Sequence, residues 1–272
     1  MRYYIIIAAV LLTACTGAPS TMKKGGQTQI TSLETNSSGT GPVVEVRFYG
    51  GPSLYYPLMA VWLEDDAGRY LQTLFVPRTV ATGVFKYGSN SGGKWTTAAK
   101  RAPQTLPYWS HKRGVKASDG LYMPDPENPV PDAYTGATPT TSFLLKARAE
   151  GVLPDKFRVM FEINQNWDWN DYWTNDKFPG DNYYLYSAQP AVVYECRADM
   201  SNADGKYLMR AIGHSHPSGS SGELFSDLSS LTTALQIVDS IVVRVGKKII
   251  LSEFVCPRCQ CRRRAGNLCF SV

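Results

Sequence analysis

Apolar and polar residues mix at a period near two in Val43-Val44-Glu45-Val46-Arg47-Phe48-Tyr49, and Gly50-Gly51-Pro52 ends the run, which predicts a strand and its stop. Two β-rich runs, Leu58 to Glu64 and Arg69 to Val76, flank Asp65-Asp66-Ala67-Gly68, the composition of a hairpin turn. Further strands are predicted over Phe157 to Ile163, Ala191 to Arg197, Lys206 to Ile212 and Gln236 to Val245, with Asp204-Gly205 as the turn ahead of Lys206. Helix signals are few. The pattern predicts an all-β fold over 43–246, an immunoglobulin-like antiparallel β-sandwich with long loops at 77–142 and 164–190. Loops that long are usually functional or disordered.

Composition supports this picture. The chain has 272 residues, 43% of them hydrophobic and 19% charged, enough to bury a core and to exclude a wholly disordered protein. Seventeen Pro, 23 Gly and 16 Tyr argue against a helical bundle. The formal net charge is +5, but residues 247–272 hold Lys247, Lys248, Arg258, Arg262, Arg263 and Arg264 against Glu253 alone and account for all of it. The rest of the chain sums to zero, so it lacks the field that drives phosphate-backbone binding and no nucleic-acid partner is expected.

The apolar run Tyr3 to Ala14 is too short for a bilayer-spanning helix, which needs roughly 20 residues. Followed by Leu12-Thr13-Ala14-Cys15, it resembles a bacterial lipoprotein signal over residues 1–15, in which Cys15 is lipidated and becomes the first residue. An ordinary signal peptide with an incidental cysteine is the alternative. Residues 16–42, rich in Ser, Thr and Gly, read as a flexible tether. Thr16 after the cysteine, with no Asp to retain it at the inner membrane, leads to the expectation of an outer-membrane lipoprotein facing the periplasm, held to the membrane by its lipid anchor.

Ala60-Val61-Trp62-Leu63-Glu64-Asp65, then Gly68-Arg69-Tyr70-Leu71-Gln72-Thr73-Leu74, then Asp132-Ala133-Tyr134-Thr135-Gly136-Ala137-Thr138 resemble the bacterial periplasmic family known as domain of unknown function 2271, over about residues 43–246. The resemblance implies an accessory role in an extracytoplasmic flavin-linked redox or iron-acquisition system with a membrane redox partner. Within it, Asp132, Thr135, Gly136, Ala137 and Thr138 are similar to the acceptor motif of the extracytoplasmic FMN transferase, which implies covalent FMN on the Thr138 hydroxyl. A tight turn held by local side-chain hydrogen bonds is the other reading of the same residues.

Three further groups of residues could carry chemistry. Gly213-His214-Ser215-His216-Pro217, with Asp227 eleven positions after His216, is similar in spacing to the zinc signature of JAMM metalloproteases, implying zinc on His214, His216 and Asp227. Leu224 stands where that family has serine, and the upstream base is unassigned between Glu162 and Glu195, so no catalytic residue is expected; a polar loop or a non-catalytic metal site is the alternative. Residues 164–176 hold Trp167, Trp169 and Trp173 among Asp168, Asn170, Asp171 and Asp176. Those rings could stack on a sugar or a flavin, the oxygens could hold calcium, or the loop could fold back onto the sandwich edge. In the basic tail, Cys256, Cys259, Cys261 and Cys269 are read as disulfides, with Cys196 left over or paired, as a metal knuckle, or as a functionless end. The expected function is thus a lipid-anchored binding or accessory protein, with a zinc-dependent hydrolase and a carbohydrate-binding module as alternatives.

Overall fold

A computed structural model describes residues 30–202 and 205–246. The Cys15 lipobox, most of the tether, the Asp204 half of the predicted turn and the Cys-rich tail lie outside the described residues. In chain order the elements are β1 (Thr31–Thr35), β2 (Val43–Gly50), β3 (Pro57–Asp65), β4 (Tyr70–Pro77), α1 (Arg78–Thr82), β5 (Val84–Ser91), β6 (Lys94–Ala99), α2 (Pro107–Arg113), β7 (Thr135–Gly136), β8 (Phe143–Arg148), β9 (Lys156–Gln165), α3 (Asn182–Ser187), β10 (Val192–Asp199), β11 (Lys206–Leu208), β12 (Arg210–His214) and β13 (Val238–Gly246). Two sheets, ordered β1-β8-β2-β13-β11 and β12-β10-β9-β3-β4-β7, form an all-β sandwich, and β5-β6 is a separate ribbon. The sheets are mixed rather than purely antiparallel, because β1 runs parallel to β8 and β7 parallel to β4. Among the described residues no helix is long and apolar enough to cross a membrane.

Alternation along the strands sorts side chains into two cores. From β3, Met59, Val61 and Leu63 join Val159, Phe161 and Ile163 of β9 and Val44, Val46 and Phe48 of β2 between the sheets. Their neighbours Ala60, Trp62 and Met160 point the other way, into a second cluster with Leu106, Trp109 and Val130. The 77–142 segment is therefore not a bare loop. It covers the outer face of the six-stranded sheet, which is why β3 and β9 read as almost unbroken apolar runs instead of strict alternation. Trp62, expected in the core, is fully buried in this outer cluster.

Two other expectations change. The tether read over residues 16–42 contains β1, whose Thr35 side chain donates to the Leu74 carbonyl at 2.7 Å. The single strand predicted over Lys206 to Ile212 breaks at Met209: β11 pairs with β13 in one sheet and β12 pairs with β10 in the other, so the chain changes sheets there. That switch places His214 at the end of an edge strand. Cys196 sits in the inter-sheet core, its thiol pushed up to about 12 by burial, which makes it a packing group.

Candidate functional site

A cavity of about 780 Å³ opens beside the end of β12, where the two sequence stretches richest in candidate chemistry meet. His214 exchanges backbone hydrogen bonds with Phe225 at 2.8 and 2.9 Å, and this bridge brings residues 225–232 across the strand end. Gly213 allows the crossing, since a Cβ there would lie 2.6 Å from the Phe225 carbonyl oxygen. From the other side Asn170 folds the tryptophan loop. Its Oδ1 accepts from the Tyr172 and Trp173 amides at 3.0 and 2.7 Å, and its Nδ2 donates to the Ser230 carbonyl at 2.9 Å. Trp173 Nε1 donates to Ser230 Oγ at 3.1 Å, which locks the indole onto the second wall.

The walls are aromatic. Trp173 meets the His214 ring edge-on at 5.8 Å, His214 stacks on Phe225 at 5.3 Å, and Tyr172 and Phe178 complete the lining. Lys177 donates to the Tyr172 carbonyl and sets its ammonium 3.4 Å from the Tyr172 ring centre, a cation–π contact at the rim. The three tryptophans singled out from sequence do not form one platform. Trp173 is buried in the pocket wall, whereas Trp167 and Trp169 pair edge-on at 5.4 Å on the surface, with Trp167 also against Tyr186. Asp168 does not line the cavity: one of its oxygens accepts from Thr233 Oγ1, and burial raises its pKa. Tyr172, Phe178, Phe225, Ser229, Ser230 and Thr232 went unnoticed as site residues, and of these only Tyr172 lay inside a stretch the sequence marked as aromatic.

The histidines test the zinc expectation. His214 Nδ1 lies 2.8 Å from the Ser215 carbonyl oxygen, which can only accept, so Nδ1 carries the proton and Nε2 keeps the lone pair. His216 has the opposite arrangement: its Nδ1 accepts from the Ser218 amide at 3.2 Å and its Nε2 lies 3.1 Å from Ser220 Oγ. Asp227 Oδ1 accepts from the Ser229 amide at 2.9 Å. One imidazole thus offers a free lone pair and the other is engaged on both nitrogens. Among the described residues no three His, Cys, Asp or Glu side chains converge as a metal site. The residues do not fit zinc. Neither upstream glutamate serves as its base: Glu162 accepts from the Tyr108 and Trp109 amides at 3.1 and 2.7 Å, and Glu195 is bound to Arg158.

Electrostatics inside the pocket favour acceptors. Burial lowers the pKa of both His214 and His216, so both rings stay neutral at neutral pH. The Ser229 amide and hydroxyl hold Asp227 below the ordinary carboxylate range, so it is an anionic acceptor and not a proton donor.

The loop expected from its sequence to accept flavin lies on the opposite edge of the same sheet. Asp132 begins a single 3₁₀ turn and faces Arg78 at 3.7 Å, Thr135 Oγ1 donates to the Asp132 carbonyl at 3.2 Å, and Gly136 packs under Phe75. Ala137 is exposed and Thr138 half-buried, its hydroxyl without a hydrogen bond among the described residues. An unengaged hydroxyl is present, and the loop lines neither of the two cavities at the β12 end and beside Lys206. Four strands separate β7 from β12, about 24 Å at ordinary strand spacing.

Comparison of the chain with protein-family models, with curated proteins and with solved structures finds no match.

Proposed function

We propose that this protein is a lipid-anchored, non-catalytic binding module for a neutral carbohydrate, taken up in the pocket at the end of β12. The observation that carries the reading is the pairing, in one cavity, of aromatic rings with the unengaged Nε2 lone pair of His214 and the anionic Asp227 carboxylate. Tyr172, Trp173, Phe178 and Phe225 offer ring faces to the C–H side of a pyranose. His214 Nε2 and the Asp227 carboxylate accept from its hydroxyls. The volume is within the range of small-ligand sites and suits one or two sugar rings.

Hydrolysis is disfavoured by the same groups. Glycoside cleavage needs a carboxylic acid that is still protonated near neutral pH, and Asp227 is shifted the opposite way. Zinc on the His214, His216 and Asp227 set would need a free lone pair on each imidazole, and both nitrogens of His216 are engaged. The choice is therefore the carbohydrate-binding alternative over the flavin-linked and hydrolase ones.

The test is a glycan array followed by calorimetry on the full chain. Binding to a subset of neutral glycans is expected, weakened at least about tenfold in Tyr172→Ala, a change at a 55% exposed ring that leaves the fold intact. Stoichiometric zinc binding that requires both His214 and His216, or an array without a single hit for the wild type, would overturn the reading.

A further inference from the structure

Away from the pocket, the chain from Ala67 to Ser118 carries nine Lys and Arg and no Asp or Glu. Several of these cations are neutralised by carboxylates elsewhere: Arg69 by Asp65, Arg101 by Asp119 and Lys112 by Glu64. Lys86 and Lys94 are not. Among the described residues neither has a carboxylate within ion-pair distance, and both lie on the β5-β6 ribbon.

Among the described residues that ribbon pairs with no other strand. It turns through Gly92 and Gly93, both at positive φ (57° and 80°), a two-residue turn of the kind that hairpin twist favours, and a side chain at either glycine would meet open space. A lone two-stranded ribbon in water is marginal, and neighbouring exposed apolar side chains on one mark an interaction surface. Here two such rings share a face. Tyr87 and Trp95 are 60% and 50% exposed and meet edge-on at 6.5 Å, and the Lys86 ammonium sits 5.3 Å over Tyr87. At the ribbon's root Lys100 stacks on Tyr186 at 3.7 Å, and Tyr186 touches the exposed Trp167. Basic and aromatic side chains thus continue from the ribbon onto the loop outside the pocket.

We propose that the β5-β6 ribbon is a membrane-surface docking element that lays Tyr87 and Trp95 into the headgroup region of an anionic bilayer while Lys86, Lys94 and Lys100 contact lipid phosphates. Amphipathic rings favour that depth, being apolar in body and polar at one end. Ammonium groups on flexible stems reach the phosphates from it. The segment without acidic residues supplies the charge complementarity, because nothing in it repels an anionic surface.

The test is vesicle flotation of the full chain carrying Cys15→Ala, so that no lipid is attached and the basic tail is the same in every sample. Phosphatidylglycerol-rich vesicles should float the protein at low salt and release it as salt rises, and pure phosphatidylcholine should float far less. Lys86→Gln with Lys94→Gln should weaken partition about 25-fold, at about fivefold per lysine. Tyr87→Ser with Trp95→Ser should weaken it about tenfold. Unchanged melting of both variants shows that the ribbon, and not the fold, was altered. Equal flotation of wild type and lysine variant, equal flotation on neutral vesicles, or tighter binding to a single-stranded oligonucleotide or a sulfated polysaccharide than to vesicles would each overturn the proposal.

Discussion

Glu162 is the buried group whose titration the structure makes easiest to test. It lies in the middle of β9, fully buried on the outer face of the six-stranded sheet, and its two oxygens accept the Tyr108 and Trp109 amides. Those bonds favour the carboxylate, but loss of water dominates and pushes the pKa from 4.5 up to about 8. Ser215 Oγ lies buried beside it without a well-formed hydrogen bond, and a protonated Glu162 would donate to it. Because the folded-state pKa is raised, the native state holds a proton that the unfolded chain releases above pH 4.5. The stabilisation is fully present below pH 4.5 and is lost as pH rises through about 8. The span corresponds to a ceiling of about 5 kcal/mol, from 1.36 kcal/mol per pKa unit. Glu162→Gln removes the titration and keeps one carbonyl acceptor, leaving one amide unsatisfied at a cost of about 1–3 kcal/mol. Urea unfolding from pH 5 to 9 should therefore find the variant weaker at pH 5, with the two curves converging or crossing above pH 8. A wild-type minus variant difference that stays flat over that range would refute the reasoning.

Other measurements bear on separate parts of the molecule. Trp62→Ala should lose about 3–5 kcal/mol in urea unfolding, because it empties a fully buried site and removes the indole N–H that Glu64 accepts at 2.9 Å; a melting temperature within a degree or two of wild type would contradict this. Burial lowers the His214 pKa, so sugar affinity should hold near pH 7 and fall on acidification below the ordinary histidine pKa, as the Nε2 lone pair becomes a donor; titration calorimetry at pH 7.5 and 5 measures it, and unchanged affinity would remove His214 from the site. The same shift makes acid cost stability from about pH 6.5 downwards, since the unfolded histidine takes the proton first, a sign opposite to that of Glu162.

Much of the sandwich is legible because β2, β3, β4, β9, β10 and β13 carry their own burial in the sequence: strongly apolar runs bounded by Gly, Pro or Asp. The strands missed are ones whose partners supply the reason to be strands. Thr31–Thr35 has one large apolar residue, Leu33, and becomes β1 by adding to the edge of β8. The ribbon β5-β6 is mostly polar and exposed, so no apolar alternation marks it and it falls within the predicted 77–142 loop. Phe143–Arg148 does alternate, with Phe143, Leu145 and Ala147 inward, and is a strand the sequence reading leaves out, between the loop ending at 142 and the strand predicted from Phe157. The candidate site was half legible. Residues 164–176 and 213–227 drew notice for their composition, yet single-residue spacing could not say that they share a cavity, which follows from the His214–Phe225 bridge and the Asn170–Ser230 bond.

Ser215 links the two titrations described above. Its carbonyl accepts the His214 Nδ1 proton at 2.8 Å and so fixes which nitrogen faces the ligand, while its buried hydroxyl neighbours Glu162. The residue cannot drift, because its own amide donates to the Ala191 carbonyl at 2.9 Å. The helix that caps Glu162, α2, belongs to the layer covering the outer face of the sheet, and Asn164 on the same face of β9 donates to the Gln104 and Thr105 carbonyls at 3.1 Å each. Satisfying these buried polar groups is therefore what anchors the 77–142 segment, while the Ser215 carbonyl by itself holds the pocket histidine in its accepting tautomer. A binding module needs that rigidity at one edge of the sheet, and a hydrolase would need in addition a free base there, a role Glu162 cannot fill while both of its oxygens hold α2.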